Sequence, residues 1–418
     1  MLPPVPQGHF RHLLAARACS AVGDFLLPVA VTYAVLGPLG GNAADVGLVL
    51  GAEFVGILLF VALGGVVADR VSPAGAMVCS DLVSVAVHLS LAGLLVSGHL
   101  TVPLLAAGML LQGVASSLFR PAARSLLPRL VPREQLLQAN AMLGSVTSVA
   151  VVMGPLLGGV LVVLVHPAGA IATDAASFAV SAALIARIHR GRSRSVGAAV
   201  PSTSLVADLA AGWREVSSRS WLWASIAVAG VVELLGSGPL MTLTPVVAAR
   251  SYGGAPAYSW MLSALGCGAV VGSLVMARVE VRRPVLVAHV ALVPIAAMPL
   301  CLAVGAPLPV TLMACLAVGA CEAASSALWG TALGLAVPRS ALGRVSAWDT
   351  LGSFAVRPAG QMVGGALAGP LGFGPVLLVG AATFVVAPLA LLLVPAVRQV
   401  LPEAETLPPV PTTTSALP

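Results

Sequence analysis

The chain has no lysine: all 21 of its basic residues are arginine, set against 15 acidic residues for a formal net charge of +6 over 418 residues. A GC-rich genome is the plain reading of that choice. Charge of either sign is scarce, at 9% of the residues, where a soluble domain carries about 25%. A single water-soluble core is thereby excluded. The arginines sit in short connections between apolar runs, so the basic balance reflects membrane topology and not a nucleic-acid footprint. The six cysteines (Cys19, Cys79, Cys267, Cys301, Cys315 and Cys321) all lie inside apolar runs without metal-ligand spacing, which reads as buried free thiols. The chain has no Walker loop, no G-x-S-x-G elbow and no H-E-x-x-H pair. ATP is therefore not the direct energy source, and no enzyme signature is visible. No cofactor and no metal are expected.

What is present is apolar: 58% of the residues are hydrophobic, with a mean hydropathy of +1.02. Lipid can solvate such a surface and water cannot. Runs of about 20 apolar residues suffice to cross a bilayer. Twelve are read, near 13–36, 46–68, 74–97, 102–127, 140–165, 169–188, 220–248, 257–277, 285–304, 309–336, 346–368 and 374–396. The expected fold class is an all-α integral membrane protein with twelve transmembrane helices in two parallel six-helix repeats. No cleavable signal is expected, since the first run follows Arg11 and Arg17 and is too long for a signal-peptide core.

Arginine placement sets the orientation. With the N-terminus inside, Arg70, Arg129, Arg133, Arg187, Arg190, Arg192, Arg194, Arg278, Arg282, Arg283, Arg339 and Arg344 are all cytoplasmic, and Arg250 is the outer arginine. The asymmetry closes with an even number of spans, both termini in the cytoplasm and the chain in a bacterial inner membrane. The expected domains are a six-helix bundle over 1–188, a cytoplasmic linker over 189–219, a second bundle over 220–397 and a disordered tail over 398–418. Within the linker, Asp208 to Glu215 reads as a short amphipathic helix on the membrane surface. Val131-Pro132-Arg133 with Gly158-Gly159 repeats as Val337-Pro338-Arg339 with Gly364-Gly365, an offset of 206 residues shared by Gly113 and Gly319. Parallel repeats of this kind are expected where a transport site lies between two bundles.

Gly65-Val66-Val67-Ala68-Asp69-Arg70, at the inner end of the second run, resembles the G-x-x-x-D-R loop signature of the major facilitator superfamily, without its distal basic residues. Gly154-Pro155-Leu156-Leu157-Gly158-Gly159 resembles the superfamily's antiporter motif. Phe119-Arg120-Pro121-Ala122, Val131-Pro132-Arg133, Ala139-Asn140-Ala141 and Gly343-Arg344-Val345-Ser346 are similar to the macrolide-efflux and enterobactin-exporter type branch. The resemblance covers nearly the whole chain. It implies the major facilitator fold, export by alternating access and a monomer. One departure stands out: before Gln112-Gly113, where drug–proton antiporters often carry an arginine, this chain has Met109.

Ionisable groups at membrane depth are costly and mark function by default. Asp24, Glu233 and Glu322 fall near the middle of the first, seventh and tenth runs, and Arg357 near the middle of the eleventh. The resemblance places the three acids around one central aqueous space. They are the candidate substrate and proton residues, and the alternative is that Glu322 pairs with Arg357 as packing. Gly65, Asp69, Arg70, Arg120, Gly154, Pro155, Gly158 and Gly159 are the candidate gate and motif residues. Glu53 and Asp174 read as structural or solvent-contacting, His88 and His289 as hydrogen-bonded packing histidines, and Trp329 and Trp348 as packing or interfacial anchors, with stacking on a ligand as the alternative for Trp329. The expected function is proton-coupled export of a small amphipathic compound, a drug or secondary metabolite, with small molecule, protons and membrane lipid as partners. The alternatives are a carrier of a siderophore or lysophospholipid, and a membrane sensor that transports nothing.

Overall fold

The computed structural model describes residues 8–70, 72–190 and 205–399, and all regular structure among them is helical. In a bilayer the backbone must satisfy its own hydrogen bonds, which long apolar segments do by coiling. Nine of the described helical segments are long and apolar enough to cross a membrane. The order is α1 (His9–Leu36), α2 (Ala43–Arg70), α3 (Pro73–Val96), α4 (Val102–Leu130) and α5 (Leu136–Arg190), then α6 (Leu205–Ser217), α7 (Ser220–Val232) and α8 (Gly238–Ser251). These are followed by α9 (Ala255–Met276), α10 (Pro284–Val290), α11 (Ala297–Ala303), α12 (Leu308–Ala336), α13 (Arg339–Phe354), α14 (Arg357–Leu371), α15 (Phe373–Leu391) and α16 (Pro395–Gln399).

Several of these departures from regular helix have a proline beside them. The long α5 is two helices that meet at Val165 and His166, whose backbones are not helical, just before Pro167. Glu233–Ser237 forms one π turn between α7 and α8, with the Gly238 N–H donating back to the Glu233 carbonyl. Pro239 follows directly and has no N–H to continue an ordinary ladder. The uniform helix expected over 285–304 is instead α10, a 3-10 turn containing Pro294 and α11. The helix expected over 346–368 starts earlier, at Arg339, and breaks between Phe354 and Arg357, just before Pro358.

Helices in lipid associate through close contact of small residues more than through hydrophobic burial. On α4, Gly113 meets the Glu53 carbonyl of α2, and Gly56 of α2 meets the Leu110 carbonyl; a Cβ on either glycine would overlap that oxygen. The same reciprocal contact recurs between α12 and α9, where Gly319 meets the Leu265 carbonyl and Gly268 that of Leu316. The α4 positions reappear in α12 after 206 residues, and those of α2 in α9 after 212.

The end carrying Arg129, Arg133, Arg214, Arg278, Arg282 and Arg283 is called the inner end. At the outer end one apolar core joins both halves of the chain, running from Leu26, Val35 and Val49 through Leu105 and Met109 to Leu243, Val246 and Met298. At the inner end there are two separate cores. One contains Phe10, Met77, Leu126 and Ile185, and the other Leu222, Leu333, Val345 and Val397. Among the described residues, then, the halves share one core at the outer end and have separate cores at the inner end. The amphipathic segment in the linker lies against α13, with Gly212 packed on Trp348 and the ring of Trp213 centred 5.0 Å from that of Trp348. The tail beyond 399 and residues 191–204 of the linker lie outside the described residues.

Candidate functional site

The break before Pro358 leaves Arg357 in the first turn of α14. A cation there opposes the helix dipole. It is compensated by Glu233, at the start of the π turn. Arg357 donates from Nε to one Glu233 carboxylate oxygen at 2.6 Å and from Nη2 to the other at 2.7 Å. Such two-pronged pairs are the strongest and most directional carboxylate contacts of arginine. The two side chains are only 18% and 12% exposed. The guanidinium also sits over two rings, Phe354 at 4.6 Å and Phe54 of α2 at 5.2 Å. Phe54 belongs to the first half of the chain, so the arginine bridges the two halves.

Glu322, on α12, is exposed although protein atoms crowd around it, and it lies within electrostatic reach of both Arg357 and Glu233. Exposure with crowding is the signature of a side chain lining an internal space. The π turn aims Glu233 into this region; extra residues of that kind are frequent at functional sites because they rotate one side chain out of helical register. Glu233, Glu322 and Arg357 thus converge, and the partner of Arg357 is Glu233, not the Glu322 of the packing alternative. The net charge of the three, both acids ionised, is −1.

Asp24 is placed differently. It lies on α1, 3.4 Å from Arg17, one helix face along, and is 38% exposed against 24% for the arginine. Arg17 also lies over the Phe119 ring at 6.0 Å. The antiporter-like motif forms a three-way contact. Gly154 and Gly158 of α5 meet Val22, Phe25, Leu26 and Val29 of α1, while Gly159 meets Ser259 and Ala255 of α9. Pro155 is buried among them. Nearby, the Ser263 hydroxyl of α9 donates to the Val152 carbonyl at 2.8 Å. Outside Arg357, Gly47 and Gly51 of α2 pack on Gln361, Pro358 and Met362 of α14. Gly65, Asp69 and Arg70 fall near the inner end of α2, and Arg120 on α4; their surroundings lie outside the described residues. Among the described residues, no three His, Cys, Asp or Glu side chains converge as metal ligands would.

Two polar groupings were not anticipated as such. His88 and Asp174, read separately as packing and structural residues, meet at 2.9 Å with no exposure. At the inner end, Trp329 donates to Asp349 at 3.0 Å and stacks edge-on against His289 and Trp221. The residues of both were visible as polar groups in apolar runs, but nothing in the order of the chain pairs them.

Residues 1–412 match the family model described as transmembrane secretion effector. The MFS-type transporter y4rN of Sinorhizobium fredii is 30% identical over 272 residues, 64% of this chain; the chain spans 65% of that relative's length. The multidrug efflux pump Tap of Mycolicibacterium fortuitum is 25% identical over 411 residues, 93% of this chain and 95% of its own. A bacterial homologue of the iron transporter ferroportin, in an inward-facing state, superposes with a TM-score of 0.72 at 16% identity, over 92% of this chain and 98% of that one. At that identity the likeness is one of fold.

Proposed function

The chain belongs to the transmembrane secretion effector family of the major facilitator superfamily, and we propose that it is a secondary-active exporter. Its substrate is a small amphipathic compound, its driving force the proton gradient and its mechanism alternating access between two bundles. The observation that carries this reading is the convergence of Glu233, Arg357 and Glu322 on an internal space, with Arg357 also touching Phe54 across the bundles. The three groups leave one negative charge in a low-dielectric setting, which favours either a proton or a cationic substrate there. Competition between the two for Glu322 would couple proton entry to substrate exit. The relation to the efflux pump Tap supports export.

In this reading α5 counts as two spans divided at His166, and α2 and the α13–α14 pair join the apolar segments to make twelve. The reciprocal glycine contacts of α2 with α4 and of α9 with α12 support two repeats, 1–188 and 220–397. Both termini are cytoplasmic by the arginine asymmetry. The shared outer core and divided inner cores then describe the state open to the cytoplasm. Gly159, where α5 meets Ser259 and Ala255 of α9 in the other bundle, is a contact that must shift as the bundles rock, while Gly154 and Gly158 hold α5 to α1 within the first bundle.

The test is uptake of a lipophilic fluorescent cation into everted membrane vesicles, with and without a protonophore. Uptake that collapses with the gradient is expected, as is its loss in Glu322→Gln. Transport by Glu322→Gln unchanged at every pH would remove that residue from the mechanism. Binding of such compounds without uptake would favour a sensor.

A further inference from the structure

A stack of buried polar side chains inside the first six helices takes no part in the site above. It lies between α3 and the second half of α5, which run antiparallel. Asp81, Ser84 and His88 follow one another on α3 at intervals of three and four residues, which keeps them on one face. Asp174, Ser177 and Ser181 do the same on α5 in the opposite sense. The register makes three levels: Asp81 against Ser181, Ser84 opposite Ser177, and His88 against Asp174. Asp81, His88, Asp174 and Ser181 are fully buried and Ser84 is 1% exposed. His88 Nδ1 is 2.9 Å from Asp174 Oδ2, and Ser177 donates to the other Asp174 oxygen at 3.2 Å. From α1, Gly23 closes the far end so tightly that a Cβ would overlap both Asp174 and Ser177. The other end leads outward: Asp81 faces Ser181 and lies within electrostatic reach of Asp24 and Arg17, and Asp24 is 38% exposed.

A polar group in hydrocarbon is costly unless it is paired. Yet oxygens or nitrogens of Ser20, Asp81, His88, Asp174 and Ser181 lack a well-directed hydrogen bond. A carboxylate and an imidazole buried together are neutral as a couple only when they share one proton. The remaining charged groups toward the ladder are Arg17 and Asp24 from α1 and Asp81 on α3 itself. Along α4, packed against α3, there is no acid and no histidine, and its arginines are Arg120, Arg124 and Arg129 at the inner end. On α9, packed on the first half of α5, there is likewise no acid or histidine.

We propose that this ladder is an internal proton site: His88 and Asp174 hold one exchangeable proton at its closed end, and Asp81, beside Asp24, is where it exchanges with the space between the bundles. A proton on Asp81 passes along the serine hydroxyls, each accepting one at its oxygen and releasing its own to the next group, so the serines end unchanged. Ser177 already donates to Asp174, whereas Ser84, whose hydroxyl donates to the Ser80 carbonyl at 3.1 Å, has to turn from that carbonyl to take part. The inference deepens the proton-coupled reading, but proton binding is measured without transport.

The experiment uses the purified full-length protein in lipid nanodiscs with no substrate present. Proton uptake is counted on acidification with a pH dye, and carboxyl bands are followed by infrared difference spectroscopy. Loss of one carboxyl signal and a lower proton count are expected in Asp174→Asn, and a lower count in His88→Gln. Asp81→Asn and the double variant Ser84→Ala with Ser177→Ala are expected to slow exchange. Glu322→Gln should keep the ladder signal. Folded Asp174→Asn and His88→Gln proteins that titrate as the parent does would overturn the proposal and leave the ladder as packing. Should Asp174→Asn not fold, unchanged exchange in the serine double variant and in Asp81→Asn overturns it equally. A ladder signal in a protein that exports nothing keeps this site and removes the exporter reading. Proton-driven export without the signal does the reverse.

Discussion

Consider removing the charge of Arg357 or Glu233 separately and then together, as Arg357→Met, Glu233→Gln and the double variant. The two hydrogen bonds of 2.6 and 2.7 Å join side chains that are 18% and 12% exposed. Deleting one partner of such a buried pair leaves an uncompensated charge and costs about 3–5 kcal/mol. Glu322 lies within reach of Arg357, so Glu233→Gln is expected at the lower end of that range and Arg357→Met at the upper, since it strands two acids. Removing both charges is expected to cost far less than the sum, because nothing in the pair is then left desolvated and alone. The assay is equilibrium unfolding in mixed detergent micelles, run for all three variants beside the parent. Single variants within about 1 kcal/mol of the parent would mean the pair is solvated like a surface bridge. Additive costs in the double variant would mean the two groups do not act on each other, and the geometry of the site would lose its meaning.

Other outcomes follow from single contacts. Gly113→Ala forces a methyl onto the Glu53 carbonyl and should destabilise by about 1–3 kcal/mol, whereas Gly330→Ala, with nothing near its Cβ, should be neutral or stabilising; thermal melting in detergent separates the two. His166 holds φ at 66° and ψ at 157°, a region that only glycine enters cheaply, so His166→Gly should stabilise by about 1–3 kcal/mol, and a lower melting temperature would contradict this. Gly365 admits no Cβ against the Ala43 carbonyl across the outer ends of α2 and α14, so Gly365→Leu should keep that end from closing and lower vesicle uptake; uptake at the parent's level by the folded variant would show that this contact does not have to close during transport.

Amino-acid order alone determined a good deal here. Apolar length and charge depth are local properties, and membrane insertion follows from them before any helix meets another. The connection at His166-Pro167-Ala168, the proline-marked motifs and the acids at membrane depth were therefore legible, as was the Gly113–Gly319 offset. Pairings were not. Arg357 lies 124 residues from Glu233, and Glu322 is much nearer along the chain, but the π turn at Glu233 and the break before Pro358 rotate the first two toward each other. Neither distortion changes hydropathy, and Pro239 and Pro358 mark where a helix can yield without saying which way its side chains then turn. The unbroken helix expected over 285–304 failed for the same reason, since Pro294 marks a weak point without saying that the helix will yield there. His88 and Asp174 looked like isolated residues because the antiparallel register of α3 against α5 joins them. The room for that pair also depends on Gly23 of α1, where a Cβ would overlap Asp174, a clearance that exists only once the helices have packed.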